Sequence, residues 1–206
     1  MSHMASLTAI ARLSAFALIL CGGIGCSSGA GGDSAVTREL RQILEADQNE
    51  PEPENAPSDP AQREAFFIAL WTERFKPRHN RVITLIREGK LATAEDYYIA
   101  GMILNHGIKP EDNLVAHALF SVAALKGHRE ARWGSAAALD NFLTSVRRPQ
   151  LFGTVYGEGR EVMGDPMTDA LRREFCVPSV ARQGELMKLI RSGDRDAFDR
   201  QKIDCP

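Results

Sequence analysis

Small residues recur at helical spacing through residues 93–145 of this 206-residue chain. A short side chain lets neighbouring helices approach one another closely. The residues are Ala100, Gly101, Ala116, Ala118, Ala123, Ala124, Ala131, Gly134, Ala136 and Ala137. No fixed period repeats elsewhere in the chain, so the stretch predicts a compact array of short antiparallel helices and not an extended solenoid.

Local signals divide the rest of the chain into further helices. Gly107 and Gly127 are placed to end two helices of the array, and Pro77 to end a helix that begins near Ala61. Ser179 is a candidate N-cap. The predicted helices are 61–76, 80–88, 93–105, 112–126, 129–145, 168–175 and 180–191.

One segment has a different texture. Residues 151–156 and 160–163 flank a Gly157-Glu158-Gly159 turn, which predicts a β-hairpin near 150–164. The predicted fold is therefore mainly α, a compact array of short antiparallel helices with one small β-hairpin. Residues 61–206 form its single domain.

The N-terminus has the pattern of an export signal. Arg12 precedes an apolar run over 13–20, which is shorter than the about 20 residues of a membrane-spanning helix. Small residues follow as far as Cys26, whose setting resembles the acylated cysteine of a bacterial lipoprotein signal. This resemblance implies a signal peptide over 1–25 and a periplasmic or cell-surface lipoprotein held to the membrane by a lipid at Cys26. Simple cleavage and an unprocessed tail are the alternatives, and Cys21 is a weaker candidate for the lipid.

Residues 26–60 are rich in glycine, proline and acids, a composition typical of a flexible linker. Leu40, Ile43 and Leu44 lie at helical spacing within it, which indicates a short amphipathic helix over 37–46. That helix either interrupts the linker or is marginal and without a role.

Two further cysteines, Cys176 and Cys205, would lie in an oxidising compartment after export. A single disulfide between them would join the C-terminal tail to the body and stabilise it by about 3 kcal/mol. A reactive thiol is the alternative, but no Cys-His arrangement supports it.

Several function classes lack support in the sequence. The formal net charge of -2 provides no basic face for nucleic acid. Metal-binding, nucleotide and dinucleotide motifs are absent from the sequence, so no cofactor and no metal site is predicted. His117 and His128 would stand about 16 Å apart on one helix, too far to share an ion.

His106 and Asp140 are the candidate catalytic residues. His106 lies at a predicted helix C-terminus, where it is either a cap or a functional base. Asp140 shares an apolar stripe with Trp133 and Ala136, so its carboxylate must find cationic or hydrogen-bonding partners. A structural ion pair with Arg129, Arg132, Arg147 or Arg172 is one reading, and a ligand-orienting or acid/base role is the other.

Asn105-His106-Gly107, Asp140-Asn141 and Pro149-Gln150-Leu151-Phe152-Gly153-Thr154 follow in that order. Taken together they resemble a bacterial family of domains of unknown function with Gln-His-Gly, Asp-Arg and Pro-Gln-aromatic-Gly-Thr-Gln motifs, and the resemblance covers about residues 80–183. It implies a ligand-binding role for Gln150, Gly153, Thr154 and Arg172. A turn that pins the hairpin on the helices is the alternative, and an i, i+3 ion pair with Asp169 accounts for Arg172. The chain differs from the family pattern at Asn105, Asn141 and Val155.

Two functions fit these observations. The first is an exported, lipid-anchored helical binding or interaction domain of the cell envelope, whose ligand is an unknown protein or a small polar molecule. The second is a hydrolase-like enzyme that uses Asp140 and His106 as an acid/base pair. The three departures from the family pattern favour the first, because each removes a polar group that the pattern supplies.

Overall fold

The computed structural model describes residues 33–49, 56–156, 161–164 and 166–194. In these ranges the chain is mainly helical, as predicted. The elements are α1 (Ala35–Gln48), α2 (Pro60–Leu70), a π-helical turn (Trp71–Phe75), α3 (Lys76–Arg87), α4 (Ala94–Asn105), α5 (Pro110–Leu125), α6 (Ala131–Ser145), α7 (Asp169–Glu174) and α8 (Val180–Arg191). None of the helices in the described ranges has the length and apolar character needed to cross a membrane.

The small residues of the array have the consequence that the sequence predicted. The Phe120 ring of α5 lies between Gly101 of α4 and Gly134 of α6. A Cβ atom added at Gly101 would lie 2.9 Å from a ring carbon, and one at Gly134 would lie 2.8 Å away. Contacts this close require glycine on both sides, so these two positions set the separation of the three helices.

Side-chain caps explain where several helices begin. Thr93 and Asp96 form a capping box at the start of α4. Ser179 accepts the N–H of Arg182 and starts α8, which confirms it as an N-cap. These caps are local, which is why the sequence located α4 and α8 within a residue.

The predicted break before Pro77 is wrong. α2, the π-helical turn and α3 form one continuous helical run, and the Lys76 N–H donates to Trp71 O across the turn. A proline ring normally collides with the carbonyl four residues earlier. The wider π-helical turn directly before Pro77 relieves that collision, so the helix continues through it.

Helix α1 belongs to the folded body, which corrects the prediction of a flexible linker over the whole of 26–60. Leu40 is fully buried in the main core, the cluster that also contains Val82, Ile99 and Phe120. Ile43 and Leu44 pack against that core. Burying a leucine stabilises the fold by about 2 kcal/mol. The amphipathic pattern over 37–46 therefore marks a docked helix, and the folded body begins at residue 35.

The predicted β-hairpin is not seen in the part of the segment that the structure describes. The described part of the segment contains an isolated parallel bridge between Gln150 and Val162, and the turn at 157–159 lies outside the described residues. Three N–H groups that a hairpin ladder would need, those of Leu151, Phe152 and Thr154, donate to Asp140 instead. Because these N–H groups bond Asp140, they are not available to a β-ladder, and residues 151–154 form a loop.

That loop builds a second, smaller core. Phe152 packs with Ala136, Met167 and Val177, and its ring centroid lies 4.7 Å from that of Phe175. Helix α6 thus contacts α5 on one side and carries the loop on the other.

Candidate functional site

The Asp140 carboxylate is fully buried on α6 and organises residues 150–155, here called the motif loop. Its Oδ1 accepts the N–H groups of Leu151 at 2.7 Å and Phe152 at 3.0 Å. Its Oδ2 accepts the N–H of Thr154 at 2.9 Å and the hydroxyl of Thr154 at 2.8 Å. A carboxylate offers about four lone-pair directions. Four donors therefore occupy Asp140 fully.

Gln150 closes the motif loop on itself. Its side-chain Nε2 donates to Val155 O at 2.9 Å, and its Oε1 accepts the Val155 N–H at 2.7 Å. Its own backbone bonds Glu161 and Met163. The side chain is 1% exposed, so its amide is used inside the protein.

Gly153 and Phe152 join the motif loop to α8. Gly153 has φ +87°, and an added Cβ would lie 2.1 Å from the Gln183 Oε1 atom. The Gln183 Nε2 donates to Phe152 O at 2.8 Å and to Pro178 O at 2.9 Å. Both the positive φ and the close approach require glycine at 153.

Arg172 holds the motif loop from α7. It is 2% exposed and donates to the carbonyls of Phe152 at 3.2 Å, Met167 at 2.7 Å and Met163 at 3.2 Å. The predicted i, i+3 pair with Asp169 is confirmed at 3.3 Å. The guanidinium thus donates to three backbone carbonyls and one carboxylate.

The structure therefore brings together all four residues predicted to bind a ligand, Gln150, Gly153, Thr154 and Arg172. They surround Asp140 and the Phe152 carbonyl. The side chains of Gln150, Thr154 and Arg172 all form hydrogen bonds with protein atoms. This geometry supports the structural alternative, a loop pinned on the helices, over an open ligand site. Cys176 is also buried here, but its proposed partner Cys205 lies outside the described residues, so the disulfide stays a prediction.

His106 belongs to a different cluster. Its Nδ1 lies 2.6 Å from Oδ2 of Asp47, which is nearly inaccessible on α1. Arg78 NH1 lies 3.8 Å from the other Asp47 oxygen, and the Trp71 indole donates to His106 O at 3.1 Å. The imidazole is therefore oriented by a carboxylate, and that carboxylate comes from α1 and not from Asp140.

A second histidine–carboxylate pair adjoins the first. His79 Nε2 lies 3.3 Å from Asp112 Oδ1, and the His79 ring packs edge-on against Trp71 with centroids 5.7 Å apart. Asp112 also touches Gly107, where an added Cβ would lie 2.4 Å from it. The Asp47–His106 pair joins α1 to the end of α4, and the His79–Asp112 pair joins α3 to the start of α5. Trp71 contacts both histidines.

The other two histidines of the described residues, His117 and His128, make structural contacts. His117 Nδ1 lies 2.9 Å from the Ser135 carbonyl and hydroxyl oxygens, which links α5 to α6. His128 stacks on Tyr98 at 3.9 Å and lies 3.5 Å from Glu95. Among the described residues no group of three histidine, cysteine or acidic side chains could hold a metal ion.

Asn105 and Asn141, which adjoin His106 and Asp140 in sequence, contact each other. The Asn141 amide donates to Asn105 Oδ1 at 3.1 Å, and this bond joins α6 to α4. His106 and Asp140, one residue away on each helix, have the separate partners described above.

The sequence did not identify Asp47, His79, Asp112 or Gln183 as parts of this framework. One signal was available for Asp47. An acid near the C-terminus of a helix is disfavoured by the helix dipole, and α1 has no basic residue in its last turn. A carboxylate in that position indicates a cationic or hydrogen-bonding partner elsewhere in the fold.

Comparison with known proteins returned no matching family model, no matching curated protein and no matching solved structure. The resemblance to the bacterial family therefore stays a prediction.

Proposed function

We propose that this protein is an exported, lipid-anchored helical interaction domain of the cell envelope, located in the periplasm or at the cell surface. The export signal and Cys26 supply the argument for anchoring, and both lie outside the described residues. The argument for interaction comes from the helices.

Helix α2 carries the observation on which this proposal rests. Phe66, Phe67, Ile68 and Leu70 are large apolar side chains, yet none of them is buried, and Ile68 is 41% exposed. Within the described residues, the extensive contacts of α2 are with the π-helical turn that continues it. The described residues leave this apolar surface only partly covered, and such surfaces are typical of protein–protein contacts.

A second exposed apolar pair lies at the start of α5. Leu114 and Val115 are 38% and 39% exposed, one turn after the α4–α5 connection. Trp71, where α2 joins the body, donates to His106 O at the other side of that connection. The proposed partner is a protein that presents apolar side chains to α2 at this end of the helical array.

The buried motif loop supports binding over catalysis. Asp140 accepts four hydrogen bonds within the protein and has no free lone pair for a substrate proton. His106 has a different carboxylate partner. The acid/base pair of Asp140 and His106 that the enzyme hypothesis needs is therefore poorly supported.

Site-specific crosslinking tests the interaction surface. A photo-reactive residue at Ile68 should give a discrete crosslinked product in cells, because a bound partner covers that side chain. The matched control is Gln62, which is exposed on the same helix. Equal crosslinking at the two positions would contradict a specific surface on α2, and Phe67→Asp should remove the product at Ile68.

Fractionation tests the anchor separately. The wild-type chain should sediment with membranes and carry an acyl mass at Cys26, whereas Cys26→Ser should yield soluble protein. A wild-type chain that is processed but not acylated would refute lipidation while leaving the α2 surface open to the crosslinking test.

One contact favours the second candidate, a hydrolase-like enzyme. The 2.6 Å contact between Asp47 and His106 has the geometry that orients an imidazole for general-base catalysis. In this form of the hypothesis Asp47 replaces Asp140 as the carboxylate. Hydrolysis of ester, amide or phosphate substrates that is lost in His106→Gln, while the melting temperature is kept, would favour it over the interaction domain.

A further inference from the structure

Helices α1 and α4 lie side by side in the same direction, and two polar contacts fix their register. The Thr37 hydroxyl donates to Asp96 at 2.7 Å near the start of both helices. Asp47 contacts His106 at 2.6 Å near the end of both. Each pair is separated by 59 residues in sequence, so the two helices advance in step.

This arrangement defines two ends of the array. The near end contains the start of α1 at Ser34, the 88–93 turn that leads into α4, and the 126–130 turn after α5. Lys126 marks the α5 side of this end, since its ammonium lies 5.7 Å from the Tyr97 ring in the first turns of α4. The far end contains Asp47, the 106–109 turn and Trp71.

Helix α2 lies beyond the far end. Trp71 bonds His106 there, and α2 leads into Trp71 as part of one continuous helical run. Helix α4 has 12 residues and is therefore about 18 Å long. The exposed apolar side chains of α2 are separated from the near end by at least that length.

The docking of α1 also shortens the tether. If α1 were part of a free linker, the chain from Cys26 to Pro60 could place the domain in any orientation. With α1 docked, eight residue steps separate Cys26 from Ser34, and a chain of this length spans at most about 29 Å when fully extended. The near end must then stay close to the point of attachment.

The chemistry of the near end suits lipid headgroups. Five basic residues, Arg38, Arg87, Lys90, Lys126 and Arg129, are exposed there, and they outnumber the three exposed acids Asp33, Glu88 and Glu130. Leu125, which is 88% exposed, stands beside Lys126 in the same region. Basic side chains with an exposed apolar residue are attracted to an anionic bilayer surface.

We propose that the anchored domain stands end-on on an anionic bilayer, with the near end against the headgroups and α2 directed away from the membrane. This orientation rests on the lipid anchor proposed above. It presents the apolar surface of α2 to a partner on the far side and keeps it away from the membrane in which the protein is anchored.

Energy transfer from the protein to the membrane tests the orientation. The acylated full-length protein is reconstituted in vesicles of phosphatidylethanolamine and phosphatidylglycerol that contain an acceptor-labelled lipid. A donor amino acid is introduced at Lys90 at the near end or at Gln62 on α2, both exposed. Transfer should be several-fold more efficient from position 90.

A longer tether is the matched control. A flexible Gly-Ser insertion of about 20 residues after Gly32 leaves the folded residues unchanged but removes the restraint that the short tether imposes on the near end. Transfer from position 90 should therefore fall, and the difference in transfer efficiency between positions 90 and 62 should shrink. Equal or reversed transfer in the wild-type chain would overturn the orientation. If the protein does not float with the vesicles, the anchor itself is refuted, and the orientation with it. If it floats but transfer is equal or reversed, only the orientation is refuted.

Discussion

At the scale of single residues, the buried carboxylate of Asp140 is explained by the loop it organises. The sequence predicted that a carboxylate on an apolar helix face needs buried partners. The partners that the structure shows are backbone N–H groups and a hydroxyl. Such donors compensate the loss of solvation because each is charge-assisted and held in place by the loop.

Replacing Asp140 should therefore cost stability. Asp140→Ala leaves three N–H groups without their acceptor and should lower the unfolding free energy by about 3 kcal/mol or more. Asp140→Asn, of nearly the same size, should also be destabilising because its NH₂ group faces donors. Chemical denaturation measures both, with Glu174→Gln at an exposed position on α7 as the control. Unchanged stability in Asp140→Ala would contradict the structural role and revive a functional one.

At the scale of helices, Asp96 connects the start of α4 to α1. Burial by itself would raise the pKa of Asp96, but hydrogen bonds from the Thr93 N–H, the Thr37 hydroxyl and the Ala92 N–H outweigh it and lower the pKa below its usual value. One carboxylate thus completes a capping box and fixes a second helix.

This lowered pKa predicts acid lability. A group with a depressed folded-state pKa contributes stability above its unfolded pKa, about 3.9 for aspartate, and that contribution is lost as pH falls through the folded value. Urea unfolding of the wild type should therefore weaken below about pH 4. Asp96→Asn should be less stable by about 1–2 kcal/mol at neutral pH and should show a shallower acid dependence. Glu45→Gln on α1 is the control and should keep the acid dependence of the wild type. If the unfolding free energies of the wild type and Asp96→Asn fall equally steeply with pH, Asp96 makes no such contribution.

At the scale of the whole molecule, the two cores lie next to each other and share α6. The main core joins α1, α3, α4, α5 and one face of α6, and the smaller one joins α6 to the motif loop. Gly101 and Gly134 bring the three central helices together on Phe120. Contacts this close couple the cores mechanically.

The two tryptophans of the chain allow this coupling to be measured. Trp71 reports on the helical array, and Trp133 packs against the smaller core. In each of Trp133→Phe and Trp71→Phe, the denaturation midpoint from the remaining tryptophan should coincide with the midpoint from circular dichroism of the same variant, because a single cooperative unit unfolds in one transition. Leu40→Ala should shift both midpoints through a loss of about 2–5 kcal/mol. Two separate midpoints in one background would show independent folding units instead.

Much of the fold could be predicted because helix periodicity and caps are local. The apolar spacing and the Thr93 and Ser179 caps lie within a few residues of the structure that they specify. The candidate site was predicted in part. Asp140, Gln150, Gly153, Thr154 and Arg172 do meet, but their roles depend on which donors reach which acceptors, and that information is not contained in spacing.

The sequence by itself determined the helical class, the approximate helix ends and the close approach of α4, α5 and α6, since each follows from local propensity or from side-chain size. Only the tertiary structure decided three other features. The strand-like residues after Gln150 form a loop because Asp140 takes their N–H groups. The helix passes Pro77 through a π-helical turn, and α1 docks because Leu40, Asp47 and Thr37 find partners about 60 residues away on α4 or in the core around it. Each of these outcomes depends on competition for hydrogen bonds or burial between distant segments, which a local pattern does not encode.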